Sequence, residues 1–339
     1  MGIFSLTKEI SVDLGTANTL IIHNDKIIID EPSIVAIDVR TGKMIAVGKE
    51  AQRMWGREPE GIRCVRPLRK GVIADFNAAE MMIRGLIGKA SSKNKWFSPS
   101  MRMVVGIPSG STEVEIRAVR DSSEHAGGRD VYMIYEPMAA ALGIGLDVVA
   151  PEGNMIVDIG GGTTEIAVIS LGGIVSNKSI QIAGDDLTAD IMEHMKRVHN
   201  VRVGNRTAEL IKINVGSALT ELEEAPEDYI VHGPNQMTAL PMEVQVSYQE
   251  ISHCIEKSIS KIEASVLAAL EQTPPELYAD IVRNGIYLAG GGALLRGLDK
   301  RLTDKIGIQF HVAEDPLKAV AKGTGVALKN IDKFKFLIR

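Results

Sequence analysis

The chain has 339 residues, of which 45% are hydrophobic and 24% are charged, and its net charge is −5. This length can bury one large core or two domain cores, and the composition excludes wholesale disorder. Without a basic excess, nucleic acid is not expected as a main partner.

Targeting and redox features favour a cytoplasmic protein. No apolar run approaches the ~18 residues of a membrane-spanning helix. Residues 1–6 lack the basic region and cleavage site of a signal peptide. The two cysteines, Cys64 and Cys254, show no CxxC or zinc-ligand spacing. We therefore expect small core residues in a reducing compartment.

The first half of the chain predicts alternating strands and helices. The expected strands lie at residues 10–13, 19–23, 26–29, 33–38, 101–107 and 130–135. Helices are expected at residues 77–90, 112–127 and 138–146. Thr112 and Glu115 have the spacing of a capping box, and Pro137 suits a first helical turn entered through Glu136. The basic segment 61–75 reads as a loop.

The second half repeats this theme. Its expected strands lie at residues 155–159, 165–170, 174–182 and 285–288. Its expected helices lie at residues 186–199, 206–222 and 248–270, with a further helix from Leu294.

Two similar hairpins form the strongest internal repeat. The first contains Asp13-Leu14-Gly15-Thr16, and the second contains Asp158-Ile159-Gly160-Gly161-Gly162-Thr163. A solenoid repeats every ~20–50 residues, so this much longer spacing predicts instead a duplicated α/β unit facing itself across a cleft.

The first hairpin has the composition of a phosphate-binding turn. Gly15 permits a tight turn and close approach to a phosphate, while Thr16 and Asn18 add side-chain donors. Asp13 would repel phosphate directly, so we expect it to act through Mg²⁺ and its water shell. A tight β-turn capped by the aspartate explains this hairpin equally well.

The second hairpin is the more specific signal. Gly160, Gly161 and Gly162 weaken a sheet and seldom occur between strands without a close backbone approach, although a structural turn stays possible. Asp158 is the second candidate for the Mg²⁺ shell. Thr163 is placed to donate to a terminal phosphate or to position a water molecule.

A carboxylate and a late glycine turn complete the candidate site. Glu136 is expected at the start of a helix, where the helix dipole would keep its carboxylate ionised and able to orient water. A simple charge at a helix end is the alternative. Ala289, Gly290, Gly291, Gly292 and Ala293 follow a strand and open a helix, which suits contact with a nucleotide.

Other site classes are excluded by missing patterns. The chain contains no G-x-x-x-x-G-K-[ST], no dinucleotide G-x-G-x-x-G and no G-x-S-x-G. His194 and His199 are five residues apart, so they are not expected to share a helical face as metal ligands.

Taken together, these motifs resemble the actin/Hsp70/sugar-kinase superfamily, and within it the MreB family of bacterial actins, which determine rod shape. The resemblance rests on segments 13–19, 31–33, 107–110, 136–141, 158–164 and 183–186. It covers essentially the whole chain and implies the actin-like ATPase fold, with two duplicated α/β domains in four subdomains around a central nucleotide cleft. The implied boundaries are domain I at 1–140 (IA 1–31, 66–140 and 318–339; IB 32–65) and domain II at 141–317 (IIA 141–180 and 254–317; IIB 181–253).

The resemblance also implies ATP with Mg²⁺ in the cleft and slow hydrolysis coupled to polymerisation. By motif, Thr16, Ala17 and Asn18 would hold the β-phosphate, and Gly160 to Thr163 the γ-phosphate. Glu136 and Thr163, beside Asp158, would position the hydrolytic water. Glu209 and Lys212 match the helix that contacts adenosine, with Gly290 to Ala293 opposite.

The family further implies membrane-associated filaments that direct cell-wall synthesis. Its members bind the inner face of the cytoplasmic membrane, and here Trp96 and Phe97 follow two lysines, Lys93 and Lys95, in a polar loop, which suits an anionic interface. Packing of this pair onto the core is the alternative. Expected partners are further copies of the chain in paired protofilaments, the membrane, and elongation proteins such as MreC and RodZ.

Two other function classes stay open. A small-molecule kinase or phosphatase of the same superfamily usually places an aspartate where Glu136 stands. An Hsp70-type chaperone needs a β-rich substrate domain, and the chain ends at Arg339, soon after Gly323-Thr324-Gly325.

Overall fold

The computed structural model describes residues 8–90 and 101–339. The strands and helices of the first half are β1 (Lys8–Leu14), β2 (Asn18–His23), β3 (Lys26–Pro32), β4 (Val35–Asp38), β5 (Met44–Val47), α1 (Lys49–Met54), β6 (Ile62–Val65), β7 (Leu68–Arg69), β8 (Val72–Ile73), α2 (Phe76–Ala90), β9 (Met101–Ile107), α3 (Glu113–His125), β10 (Gly128–Tyr135) and α4 (Glu136–Gly143).

The remaining elements are β11 (Asn154–Ile159), β12 (Thr164–Ser170), β13 (Gly173–Ile180), α5 (Gly184–His199), α6 (Asn205–Val215), β14 (Tyr229–Pro234), β15 (Pro241–Val246), α7 (Tyr248–Glu271), α8 (Pro275–Asn284), β16 (Ile286–Ala289), α9 (Leu298–Ile306), β17 (Phe310–Val312) and α10 (Ala319–Lys329). Short 3₁₀ helices occupy Gly291–Leu294 and Pro316–Lys318.

Two five-stranded sheets share one topology. The first has the order β10-β9-β1-β2-β3, and the second has the matching order β17-β16-β11-β12-β13. In each sheet three consecutive strands pair antiparallel, and the first of them pairs parallel with a later strand, β9 or β16. That later strand pairs parallel with the sheet's end strand. The predicted duplication of an α/β unit is therefore confirmed.

Helices α4 and α10 pack between the two sheets. One buried cluster joins Val104 of the first sheet to Ile156 of the second through the alanines of α4. The two helices are so close that a side chain at Gly323 would collide with the carbonyl of Ala139. This contact sets the two sheets side by side and brings their hairpin ends together.

Each half carries a smaller outer part. In the first half, β4 pairs with β5 and β6, and α1 covers a small core that includes Ile34 and Ala51. In the second half, the β14–β15 hairpin joins the core that α5, α6 and α7 form with the sheet.

Most predicted strands and helices are confirmed within a few residues. Asn24 and Asp25 both have positive φ (50° and 60°), as a two-residue hairpin turn of type I′ requires. Thr112 and Glu115 form the predicted capping box at the start of α3.

Three predictions of secondary structure were wrong. Segment 61–75 is not a loop throughout but contains β6, β7 and β8, because β6 completes the sheet around β4. Helix α6 ends at Val215 instead of Leu222, since Gly216 is extended and the N–H of Ala218 donates to the carbonyl of Arg296. The helix expected from Leu294 begins only at Leu298, after Gly297 adopts a left-handed conformation with φ of 68°.

Candidate functional site

The carbonyl groups of the turn between β1 and β2 accept hydrogen bonds from residues outside the turn. Ser33 donates from Oγ to the carbonyl of Gly15 (2.6 Å) and from its N–H to that of Ala17 (2.9 Å). Arg66 donates from Nη2 to the carbonyl of Thr16 (3.1 Å). In a trans peptide the N–H points opposite the carbonyl, so the three following N–H groups face away from these partners. This is the arrangement an anion-binding turn needs.

The turn between β11 and β12 is held in the same way. The N–H of Gly184 donates to the carbonyl of Gly160 (3.1 Å), and that of Asp185 to Gly161 (2.8 Å). The N–H of Gly160 closes the turn on the carbonyl of Thr163 (2.9 Å). Here too the carbonyls face protein, so the N–H groups that follow them are directed elsewhere.

The two turns lie face to face. A side chain built on Gly162 would stand 2.7 Å from Oγ1 of Thr16 and 2.9 Å from the backbone of Lys70. Thr16 and Thr163 are both buried, whereas Asn18 is exposed. The structure thus brings together the residues that the sequence assigned to the two phosphates.

Four carboxyl groups gather at the base of the turns. Asp158 and Glu165 are directly opposite each other in the β11–β12 register, and both are buried, with 5% and 1% of their surface exposed. Asp13 lies near the end of β1, and Glu136 is the first residue of α4. Like charges directly opposite in a sheet destabilise it unless a cation offsets them.

The pKa values of these carboxyl groups reflect crowding. Burial raises the pKa of Asp13 to about 7. Burial, then the charges of Asp13 and Glu165, raise the pKa of Asp158 to about 8. Oxygen donors of this kind suit Mg²⁺, which would favour their ionised forms.

The electrostatic prediction for Glu136 was wrong. The sequence suggested that the helix dipole keeps this carboxylate ionised. Instead, burial first, and then the charges of Glu165, Asp13 and Asp158, raise the pKa of Glu136 well above its usual value. Without a cation, three nearby carboxylates and desolvation outweigh a helix N-terminus, so Glu136 has a high affinity for a proton.

Glu165 is the member of this cluster that sequence reasoning missed. Its Oε2 accepts hydrogen bonds from the N–H (3.0 Å) and hydroxyl of Ser109, and its Oε1 accepts one from Ser179 (2.6 Å). The signal was available, since any register that pairs Ile159 with Thr164 also pairs Asp158 with Glu165.

The basic segment after β6 was also missed as part of the site. Arg66 pairs with Asp185 beyond the second turn (3.3 Å), and the N–H of Gly71 donates to Oγ1 of Thr16 (3.0 Å). A cavity of about 390 Å³ lies here, lined in part by Arg66, Lys70 and Asp185. The segment therefore connects both turns and adds positive charge near them.

Helix α6 connects to the second turn through Lys212. The ammonium group of Lys212 donates to the carbonyl of Gly184 (2.8 Å) and to Thr188 (3.0 Å), and it pairs with Glu209 (2.8 Å). The N–H of Gly184 in turn bonds to Gly160. The Lys212 side chain is mostly buried, whereas that of Glu209 is 44% exposed. Glu209 is consequently the more open of the two to a ligand.

The late glycine turn packs under the second hairpin. Gly290 has φ of 78° and leaves no room for a side chain beside Ile159 and Asp158. Its N–H donates to the carbonyl of Pro316 (2.9 Å). Gly291 to Leu294 form a single 3₁₀ turn, and Ala289 and Ala293 are buried. Arg296 then reaches back to the carbonyls at the end of α6, so this turn and α6 are neighbours.

Two further expectations concern membranes. Trp96 and Phe97 lie outside the described residues, so the structure says nothing about the aromatic loop. In residues 8–90 and 101–339, no helix has the length and apolar character needed to cross a bilayer.

Comparison with known proteins assigns this architecture to a family. Residues 7–336 match the MreB/Mbl protein family. The chain is 45% identical over 336 residues to the cell shape-determining protein MreB of Escherichia coli K12, covering 98% of this chain and 95% of that protein. It is 43% identical over 327 residues to the cell shape-determining protein Mbl of Bacillus subtilis 168, covering 96% and 97%.

A solved structure agrees with these sequence matches. MreB5 of Spiroplasma citri bound to AMPPNP aligns with a TM-score of 0.89 and 37% identity, covering 96% of this chain and 97% of that one. The predicted actin-like fold is therefore confirmed, and the chain belongs to the MreB/Mbl family of cell shape-determining proteins.

Proposed function

We propose that this chain binds and slowly hydrolyses ATP with Mg²⁺ and assembles into membrane-associated filaments that direct cell-wall synthesis. The observation that carries the proposal is the pair of facing turns, each held from behind through its carbonyls, above a cluster of four carboxyl groups. MreB5 of Spiroplasma citri has been solved with AMPPNP and with ADP, which supports a nucleotide in the same fold.

In this proposal each turn binds one side of the triphosphate. N–H groups of Thr16 and Ala17, with the side chain of Asn18, hold the β-phosphate, and those of Gly161 and Gly162 with Thr163 hold the γ-phosphate. Asp13 and Asp158 hold Mg²⁺ through its water shell. Glu209 and Lys212 of α6 and the glycine turn 290–293 enclose the adenosine.

Hydrolysis then depends on a positioned water molecule. When bound, ATP supplies the phosphoanhydride bond, and Mg²⁺ supplies charge that offsets the phosphate oxygens. Glu136 orients the water and accepts its proton, while Thr163 and Asp158 fix the geometry around it. In the empty cleft, burial and nearby carboxylates favour the protonated form of Glu136. Bound Mg²⁺ would favour the ionised form, which is the form that can accept a proton. The charge of Glu165, on β12, is one of the nearby charges that raise the pKa of Glu136.

Family membership supports the proposed cellular role. The relatives are cell shape-determining proteins by name, and we propose the same role here at the inner face of the cytoplasmic membrane. The filament consists of further copies of the chain in paired protofilaments. MreC and RodZ are the proposed elongation partners, and Trp96 and Phe97 the proposed membrane contact.

Sedimentation with anionic liposomes tests this proposal. The full chain with Mg-ATP is expected to pellet as polymer and to float with liposomes. A Trp96→Ser/Phe97→Ser double variant should still pellet without lipid but float poorly, whereas Tyr278→Ser, a change at an exposed aromatic residue of α8, should behave as wild type. No polymer at any concentration, with or without lipid, would refute the filament role. Unchanged flotation of the double variant would refute the loop as anchor.

A further inference from the structure

A cluster of metal-ligating side chains lies away from the turns. His194 and His199, near the end of α5, both place Nε2 against the same oxygen, Oε1 of Glu250 in the first turn of α7. The His194 contact measures 2.5 Å. The two imidazole rings are 5.9 Å apart between centroids. From this geometry we propose that His194, His199 and Glu250 form a binding site for a divalent transition metal such as Zn²⁺.

The spacing of the ligand atoms suits such an ion. One ligand atom from each residue lies within 4.8 Å of the other two. Ligand bonds of about 2.0–2.2 Å in a tetrahedral site place donors roughly 3.4 Å apart, so small side-chain rotations are sufficient. Two histidines and one carboxylate form a donor set that leaves a fourth position open for water.

The surroundings also favour a positive ion. The three side chains are largely but not fully buried, with 13%, 21% and 23% of their surface exposed, so an ion can reach them. Burial raises the pKa of Glu250, but hydrogen bonds from both histidines outweigh it, and its pKa lies below the usual value. Imidazole nitrogen favours zinc-like ions over Mg²⁺, so this site differs chemically from the carboxylates of the cleft.

The histidine spacing alone did not predict this cluster. His194 and His199 do not share a helical face, yet they meet because Glu250 arrives from another helix and lies between them. His199 is the last residue of α5, and Asn200 follows in a left-handed conformation. A bound ion would therefore join the end of α5 to the start of α7. The other end of α5, at Gly184 and Asp185, holds the second turn.

Titration of the full chain with Zn²⁺ and with Co²⁺ tests the site. Saturating Mg-ADP is present throughout to occupy the cleft. We expect one ion per chain, a rise in Tm with Zn²⁺, and Co²⁺ absorption bands typical of a four-coordinate nitrogen and oxygen site. His199→Ala and Glu250→Gln should each weaken binding by at least about tenfold.

Two controls keep the outcome clear. His253→Ala removes an exposed histidine of the same helix, α7, and should leave binding unchanged, as should Cys254→Ser. His194→Gln repeats the test if His199→Ala fails to fold, as judged by circular dichroism. No binding below about 100 μM Zn²⁺ in the wild type, or binding that survives loss of either histidine, would overturn the proposal.

Discussion

Gly161 lies directly against Ala17 across the two facing turns, and a methyl group at Gly161 would stand 2.8 Å from the Cβ of Ala17. Carbon atoms at van der Waals contact are separated by about 3.5–4.0 Å, so the approach depends on the missing side chain. The glycines of the second turn therefore serve two purposes. They let the turns meet, and they expose backbone N–H groups between them.

Gly161→Ala is expected to push the turns apart and to weaken nucleotide binding by about tenfold or more, which corresponds to about 1.4 kcal/mol. The double variant Ala17→Gly/Gly161→Ala should recover part of this loss, because the next atom, the backbone N of Ala17, is 3.3 Å away. Isothermal titration with Mg-ADP measures both. Additive losses in the double variant would show that the two residues do not compete for space.

Gly88→Ala is the matched control. Gly88 is helical, and nothing lies within 4 Å of a side chain built there. Alanine should raise helix stability slightly and leave nucleotide affinity unchanged.

Glu136→Gln should keep nucleotide affinity within a few-fold and slow phosphate release by about 10²–10⁴-fold, as expected for the loss of a general base. The amide preserves the shape of the side chain but cannot accept the proton of water. Single-turnover phosphate release, with binding measured separately, distinguishes the two effects. Glu124→Gln, on an exposed position of α3, is the control and should hydrolyse normally. Wild-type hydrolysis in Glu136→Gln would remove this residue from its proposed role.

Binding of Mg-nucleotide should strengthen as pH rises through the pKa values of the cleft. Asp13 (about 7) and Asp158 (about 8) bind protons in the empty protein that must leave before Mg²⁺ is held. Affinity is therefore expected to increase from about pH 6 to about pH 8.5 and then level off, by at most tenfold per pH unit for each proton. Titrations at constant ionic strength measure the slope.

Glu165→Gln tests the cause of this pH dependence. The Glu165 charge raises the pKa of Asp158, so its removal should move the plateau to lower pH. The amide oxygen can still accept a hydrogen bond from Ser109. A pH profile identical to wild type would mean that burial and the charge of Asp13 set the pKa of Asp158 without a contribution from Glu165.

The sequence predicted the features of this site that are local. Both turns were visible because aspartate, glycine and threonine specify a tight hairpin within a few neighbouring residues. Their duplication then predicted two matching sheets. The helix start at Glu136 and the late glycine turn were recognised for the same reason.

The remaining features depend on contacts between distant segments. Glu165 joins the carboxylates through strand register, and Arg66 joins the turns because the segment after β6 folds across them. His194 and His199 meet only through Glu250, more than 50 residues later in the chain. Helix periodicity carries no information about such a third partner. The pKa of Glu136, on α4, likewise depends on carboxylates of three strands, β1, β11 and β12.

A last prediction concerns stability away from the site. Arg301 on α9 holds two glutamates of α7: its Nη1 and Nη2 lie 2.6 and 2.7 Å from Glu256, and its Nε pairs with Glu263. The Glu263 side chain is only 6% exposed, so it depends on this partner. Arg301→Met leaves a buried carboxylate without its cation and should cost about 3 kcal/mol in the free energy of unfolding. Lys300→Met, which removes an exposed pair with Glu223, should cost less than about 0.5 kcal/mol.

Urea unfolding of both variants at neutral pH measures the difference. Glu263→Leu added to Arg301→Met should restore most of the loss, and equal, small losses for Arg301→Met and Lys300→Met would mean that water reaches Glu263.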